Sequence, residues 1–283
     1  MEKIAVIGFG TMGAGITQVF AEAGFTVTAM DISEEILRRG MDTIENGPYG
    51  LKKAIAKSKI TEEQAKEILS RIKVTTDLTK AVENADFIIE AVLENIDLKK
   101  KIFSEVDSFS PKHAIIVSNT STLSITTLSM ATKRPEKVAG MHFFNPPQVM
   151  KLVEVIRGLR TADETIEKVK EMAIKLGKTP IICKDIPGFI VNRVLMPAIL
   201  EGIRLYEQGI PAKDIDTAIK LGLNWPMGPL ELSDLIGLDI VLNVVETLYR
   251  EAGSDAFMPP LILRQMVASG FLGRKTKKGF YEY

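Results

Sequence analysis

A chain of 283 residues can bury one large core or two unequal ones, and at 46% apolar residues it has the material for either. Its 36 basic residues are matched by 36 acidic ones, so no whole-chain field draws nucleic acid or a membrane, and a charged ligand must be held locally. A single cysteine, Cys183, excludes an internal disulfide, and two histidines, His113 and His142, leave no workable zinc ligand set.

The opening Met1-Glu2-Lys3-Ile4 runs directly into an apolar strand without a positively charged leader or a long apolar stretch. Neither a signal peptide nor a membrane span is expected, and a reducing cytoplasm fits the lone cysteine. Short β-branched runs at 4–7, 26–30, 87–91, 114–117 and 138–141 then alternate with helical patterns, which predicts a doubly wound, mostly parallel sheet. Residues 33–72 are too many for one crossover helix. They break at Asn46-Gly47-Pro48-Tyr49-Gly50 and restart at Thr61-Glu62-Glu63-Gln64, which has capping-box spacing, so they read as an inserted helical hairpin. Beyond Cys183 the pattern is helical throughout, at 188–207, 212–221, 230–235, 238–251 and 260–269. The expected domains are 1–184 and a smaller all-helical 185–283. The short junction Lys184-Asp185-Ile186-Pro187-Gly188 predicts two packed domains with a cleft.

Immediately after the first strand comes Gly8-Phe9-Gly10-Thr11-Met12-Gly13, followed by the helical run 14–23. G-x-G-x-x-G alone is a weak signal, but strand, glycines and helix in this order mark a Rossmann-type dinucleotide site. Gly8 permits the turn, Gly10 lets backbone approach a pyrophosphate, and Gly13 lets the helix lie close to the strand, with Thr11 and Met12 as further cofactor-binding positions within the loop. The second strand ends at Asp31, where a carboxylate can accept from the adenosine ribose hydroxyls and repel a 2′-phosphate, favouring NAD over NADP. The alternative is that Asp31 caps the helix that starts near Ser33.

His142 stands in Gly140-Met141-His142-Phe143-Phe144-Asn145-Pro146-Pro147, at the end of a strand past the first cofactor-binding half. Its ordinary pKa, about 6.5, suits exchange of a proton with an alcohol or a ketone. Glu154 lies inside the apolar run Leu152-Val153-Glu154-Val155-Ile156, where an unpaired carboxylate is costly, so His142 is the expected partner. The bland reading puts Glu154 on the wet face of an edge strand. The loop Ser118-Asn119-Thr120-Ser121-Thr122 follows another strand, where its hydroxyls either hold a substrate oxygen or cap the next helix. Asn192, opening the helical half, is either solvated or faces the cleft. Glu90 is a buried acid at a strand end, either structural or linked to the cofactor.

Together these residues resemble the L-3-hydroxyacyl-CoA dehydrogenase family over essentially the whole chain. The matching motifs, in order, are Gly8-x-Gly10-x-x-Gly13, Ser118-Asn119-Thr120-Ser121, His142-Phe143-Phe144-Asn145-Pro146, Met150-Lys151-Leu152-Val153-Glu154-Val155, Pro187-Gly188-Phe189-x-x-Asn192-Arg193, Pro226-Met227-Gly228-Pro229 and Lys278-Gly279-Phe280-Tyr281. The resemblance implies an NAD-dependent oxidoreductase that interconverts (S)-3-hydroxyacyl-CoA and 3-ketoacyl-CoA, with 3-hydroxybutyryl-CoA and acetoacetyl-CoA as the expected pair. It implies His142 as acid/base, Glu154 as its orienting partner, Ser121 and Asn192 near the reacting oxygen, and Glu90 and Asn119 near the nicotinamide. It also implies a homodimer through the helical domain, and CoA phosphates held by hairpin lysines, here Lys53 and Lys57. Those two share a helix face at i, i+4 spacing, although a lysine-rich face is ordinarily just solvated. Where the family often has a second serine after Ser121, this chain has Thr122, which keeps a hydroxyl.

Two rival readings use the same residues: a dehydrogenase of a free hydroxy acid or sugar acid, and a silent NAD-binding protein, which would not need His142 and Glu154 together. The basic tail 273–281 is not read as a nucleic-acid site, since the net charge is zero and no aromatic stacking platform accompanies it. His113 reads as a surface residue and Cys183 as a strand-end core position.

Overall fold

The computed structural model describes residues 2–283. The chain runs through β1 (Lys3–Ile7), α1 (Thr11–Glu22), β2 (Thr26–Met30), α2 (Glu34–Asn46), α3 (Leu51–Ala56), α4 (Glu62–Ser70), β3 (Ile72–Thr75), α5 (Leu78–Val82) and β4 (Phe87–Glu90). It continues through α6 (Ile96–Phe109), β5 (Ile115–Ser118), α7 (Ile125–Ser129), β6 (Val138–Phe143), β7 (Leu152–Arg157), α8 (Asp163–Lys175) and β8 (Thr179–Lys184). The strands form one sheet in the order β3-β2-β1-β4-β5-β6-β7-β8. Every neighbouring pair is parallel except β6 and β7, so the last two strands run against the first six.

The central strands β4, β5 and β6 are buried along their whole length, as a parallel sheet covered on both faces requires. Their apolar side chains and those of α1 and α8 form one core that includes Val6, Phe20, Ile89, Val117, Met141, Val155 and Val169. β3 left little trace in the sequence because it is a four-residue edge strand that reads Ile-Lys-Val-Thr and has no fully buried residue. Residues 33–72, expected as a hairpin, hold three helices. The glycines at 47 and 50 end α2 and start α3, and Ser58, at φ +54°, breaks the chain again before Thr61 caps α4 in a complete capping box.

The chain divides into two compact units, Met1–Ile186 and Pro187–Tyr283, where the sequence placed the boundary after residue 184. The second unit contains α9 (Val191–Glu207), α10 (Ala212–Leu223), α11 (Pro229–Ile236), α12 (Leu238–Ala252) and α13 (Leu261–Ala268). Its own core gathers Leu200, Ile203, Leu230, Val241, Val245 and Leu263. Two buried aspartates tie it together. Asp216 accepts from Leu230 N and Glu231 N at the start of α11, and from Tyr281 Oη at 2.6 Å; Asp234 accepts from Phe280 N and Tyr281 N, both at 3.0 Å. The C-terminal segment is thereby closed onto α10 and α11, which is what the motifs around Gly228 and Gly279 encode.

Candidate active site

The carboxyl ends of β1 and β2 carry the glycine loop and Asp31. Gly8 has φ +96° and sits against the Ala91 carbonyl, while a Cβ on Gly13 would fall 1.8 Å from the Gly8 carbonyl oxygen; both positions demand glycine. The space beside Gly10 is open, and no side chain caps the N-terminus of α1, so the first-turn N–H groups and the helix dipole face outward. Asp31 Oδ2 accepts from Phe9 N at 2.6 Å, and Oδ1 accepts from Ile32 N at 2.7 Å. It does not cap α2: that bond comes from Ser33, whose Oγ accepts from Ile36 N. An exposed dipole end, open space at Gly10 and a carboxylate at the end of β2 fit the pyrophosphate and ribose of a dinucleotide.

Sheet register builds the second part of the site. In the antiparallel ladder His142 of β6 lies directly opposite Glu154 of β7, and His142 Nδ1 is 2.8 Å from Glu154 Oε2. Both side chains are buried, at 7% and 1% exposure. The carboxylate accepts the Nδ1 proton, which selects one tautomer and fixes the ring. The Phe144 ring packs on the imidazole at a centroid distance of 4.6 Å. Asn119 Oδ1 accepts from Phe143 N at 2.9 Å, tying the loop after β5 to the residue that follows His142.

That loop is organised by Glu90 together with Lys99 and Glu94, two residues the sequence did not single out. Lys99 of α6 is 1% exposed, and its ammonium lies 2.6 Å from Glu90 Oε1 and 3.3 Å from Glu94 Oε2. An unpaired ammonium there would cost several kcal/mol; two carboxylates and the Val92 carbonyl satisfy it. Glu90 is fully engaged, since Val92 N also donates to Oε1 and Ser118 Oγ donates to Oε2. Glu94 Oε1 accepts from Thr120 Oγ1, from Ser121 N at 3.0 Å and from Thr122 N at 3.1 Å. Burial by itself would raise the Glu94 carboxyl, but the Lys99 ammonium and the donors from Thr120, Ser121 and Thr122 outweigh it and hold it below the ordinary value of 4.5. Of the two acids in this stretch, Glu90 points inward and Glu94 reaches the loop that carries Ser121. Lys99 was invisible because it sits in a run of three lysines that reads as a wet helix face.

Lys53 of α3 and Lys57, its C-cap, line a cavity of about 520 Å³ together with Lys59 and Arg71. Its wall includes Gln18, which donates to the Tyr49 carbonyl and accepts from Gln148 Nε2 at 2.9 Å, linking α1, the turn before α3 and the loop that follows His142. Asn192 lies in the first turn of α9 in the helical unit. His113 is exposed and bonded to Asp86. Burial, with the Glu154 and Asp185 carboxylates, pushes the Cys183 thiol up to about 12, so it carries no thiolate chemistry at neutral pH.

A doubly wound sheet with an open glycine loop, an acid after β2 and a buried imidazole–carboxylate pair defines the class of dinucleotide-dependent oxidoreductases. Residues 3–186 match the 3-hydroxyacyl-CoA dehydrogenase NAD binding domain, and residues 188–283 match the 3-hydroxyacyl-CoA dehydrogenase C-terminal domain. The chain belongs to the 3-hydroxyacyl-CoA dehydrogenase family. It is 45% identical over 282 residues to a probable 3-hydroxybutyryl-CoA dehydrogenase of Deinococcus radiodurans, covering 99% of this chain and 100% of that one. It is 44% identical over 287 residues to the human mitochondrial hydroxyacyl-coenzyme A dehydrogenase, covering 100% of this chain and 91% of that one. Among solved structures, the (S)-3-hydroxybutyryl-CoA dehydrogenase of Ralstonia eutropha superposes with a TM-score of 0.94 at 44% identity, covering 100% of this chain and 99% of that one.

Proposed function

We propose that the chain interconverts (S)-3-hydroxyacyl-CoA and 3-ketoacyl-CoA, with 3-hydroxybutyryl-CoA and acetoacetyl-CoA as its substrate pair. The observation that carries this reading is the buried His142–Glu154 pair, held in direct cross-strand register beside a dinucleotide site. When bound by the glycine loop and Asp31, NAD supplies the two-electron acceptor. His142 takes the hydroxyl proton at Nε2 during oxidation and returns it during reduction. Glu154 keeps the ring in place and stabilises the imidazolium. Glu94 and Lys99 hold the loop from which Ser121 donates to the substrate oxygen. Lys53 and Lys57 receive CoA phosphates at the 520 Å³ cavity.

The test is loss of NADH absorbance with acetoacetyl-CoA, run beside free acetoacetate and NADPH. Turnover of the thioester but not of the free acid is expected. Equal turnover of both removes CoA recognition, and no turnover despite NADH binding removes the oxidoreductase reading. The helical unit leaves Val194, Leu221, Leu223 and Ile240 at 49–82% exposure, and we propose that a second copy of the chain covers them. A mass in solution twice that of the chain is the expected result. No helix among the described residues is long and apolar enough to cross a membrane. With its lone cysteine kept as a buried thiol, the proposed compartment is the reducing cytoplasm.

A further inference from the structure

A second polar feature lies on one face of β1, β2 and β3, running from Lys3 and Thr26 at the amino ends of β1 and β2 to Thr75 at the carboxyl end of β3. Strands of a parallel sheet covered on both faces read as continuous apolar runs. β2 does not: it alternates Thr26-Val27-Thr28-Ala29. Val27 and Ala29 are fully buried in the core, so Thr26 and Thr28 take the other face. The register pairs Lys3 with Thr26 and Thr28 with Lys73, which puts Lys3, Thr26, Thr28, Lys73 and Thr75 on that same face of three adjacent strands. Over them lies α5, only five residues long, which contributes Lys80. Together they line a cavity of about 420 Å³.

The wall of this cavity contains three ammonium groups and three hydroxyls and no carboxylate. The acids nearest its rim are already engaged. Asp77 lies 3.6 Å from Lys80 and occupies that cation, and Asp86 accepts from Lys3 N at 2.8 Å and bonds to His113, so the ammonium groups left for a ligand are those of Lys3 and Lys73. Among the described residues, Lys73 makes no ion pair and the hydroxyls of Thr26 and Thr28 make no hydrogen bond. Cations supply the charge for a phosphate dianion, and hydroxyl donors serve its remaining oxygens. The volume falls within the range of small-molecule sites, about 300–1,000 Å³, and has room for an organic group beside the phosphate.

We propose that this cavity binds a small phosphate monoester. It is separate from the dinucleotide site and from the cavity lined by Lys53 and Lys57. The lysines are exposed, so the affinity is modest and falls as salt rises. The test uses thermal unfolding with ribose 5-phosphate as probe, against chloride at equal ionic strength, with NAD saturating so that the glycine loop is filled. At about five times Kd, the wild-type midpoint should rise by about 2–4 °C. That rise should vanish in Lys3→Gln/Lys73→Gln and persist in Lys53→Gln/Lys57→Gln. Both pairs are surface changes, so folding is retained. No rise in the wild type overturns the proposal, as does a rise that survives in Lys3→Gln/Lys73→Gln. An equal rise with inorganic phosphate overturns the ester and leaves a site for the bare anion.

Discussion

Replacing Glu154 by Gln removes one charge and almost no volume, at a side chain that is 1% exposed and 2.8 Å from His142 Nδ1. The amide oxygen can still accept the Nδ1 proton, so ring position survives while the countercharge to the imidazolium is lost. A hydrogen bond to a charged group contributes about 1.5–3 kcal/mol net, and at about 1.4 kcal/mol per decade this lowers kcat by about 10- to 150-fold. Stability should hold or rise, because an ion no longer has to be buried. NADH affinity should be unchanged, since Glu154 lies away from the glycine loop. The assay is steady-state NADH oxidation with acetoacetyl-CoA, with NADH binding followed by fluorescence and folding by thermal melting. Glu154→Asp keeps the charge but withdraws it by one methylene, so it should fall between wild type and Glu154→Gln. A folded Glu154→Gln protein with kcat within about threefold of wild type would refute the assignment of Glu154 as the countercharge to the imidazolium.

Four further outcomes are expected. His142→Gln should leave NAD binding nearly intact while kcat drops by about 10²- to 10⁴-fold, as loss of a general base does; near-wild-type turnover removes His142 from the chemistry. Asp31→Asn should raise the KM for NADH and narrow the preference over NADPH, measured as the ratio of kcat/KM for the two, with an unchanged ratio showing that Asp31 only braces Phe9 and Ile32. Lys53→Glu with Lys57→Glu should raise the KM for acetoacetyl-CoA and spare kcat; an unaltered KM places the CoA phosphates elsewhere. Glu94 has a folded-state pKa below its ordinary 4.5, so its stabilising contribution is present above 4.5 and is lost as pH falls through the lowered value. Glu94→Gln should therefore melt below wild type at neutral pH, and the two should converge in acid; a difference that is constant across pH would mean the charge on Glu94 does not matter.

What could be read without a structure was local and periodic. The glycine loop is legible because turn, close approach and open dipole act on residues adjacent in sequence, and the central strands because burial on both faces forces unbroken apolar runs. Glu154 stood out for a similar reason: a lone acid in Leu152-Val153-Glu154-Val155-Ile156 needs a partner. The five helices of the second unit were also visible, since each shows one apolar face. The edge strand β3 was not, because half-exposed alternation over four residues resembles a loop.

Contacts between residues distant in sequence were decided only by the tertiary structure. Amino-acid pattern does not carry register, yet the antiparallel turn between β6 and β7 is what sets His142 opposite Glu154; a shift of one residue would turn the carboxylate to the other face. The same holds for Lys99. Its neighbours in sequence make it look solvated, and only the fold, which brings α6 to the carboxyl end of β4, buries it between Glu90 and Glu94, whose carboxylate holds the Ser121 loop. Sequence determined which chemical groups the chain possesses and which segments must hide from water. The fold determined which of those groups meet, because the cost of burying a charge is settled by the partner that long-range packing brings to it.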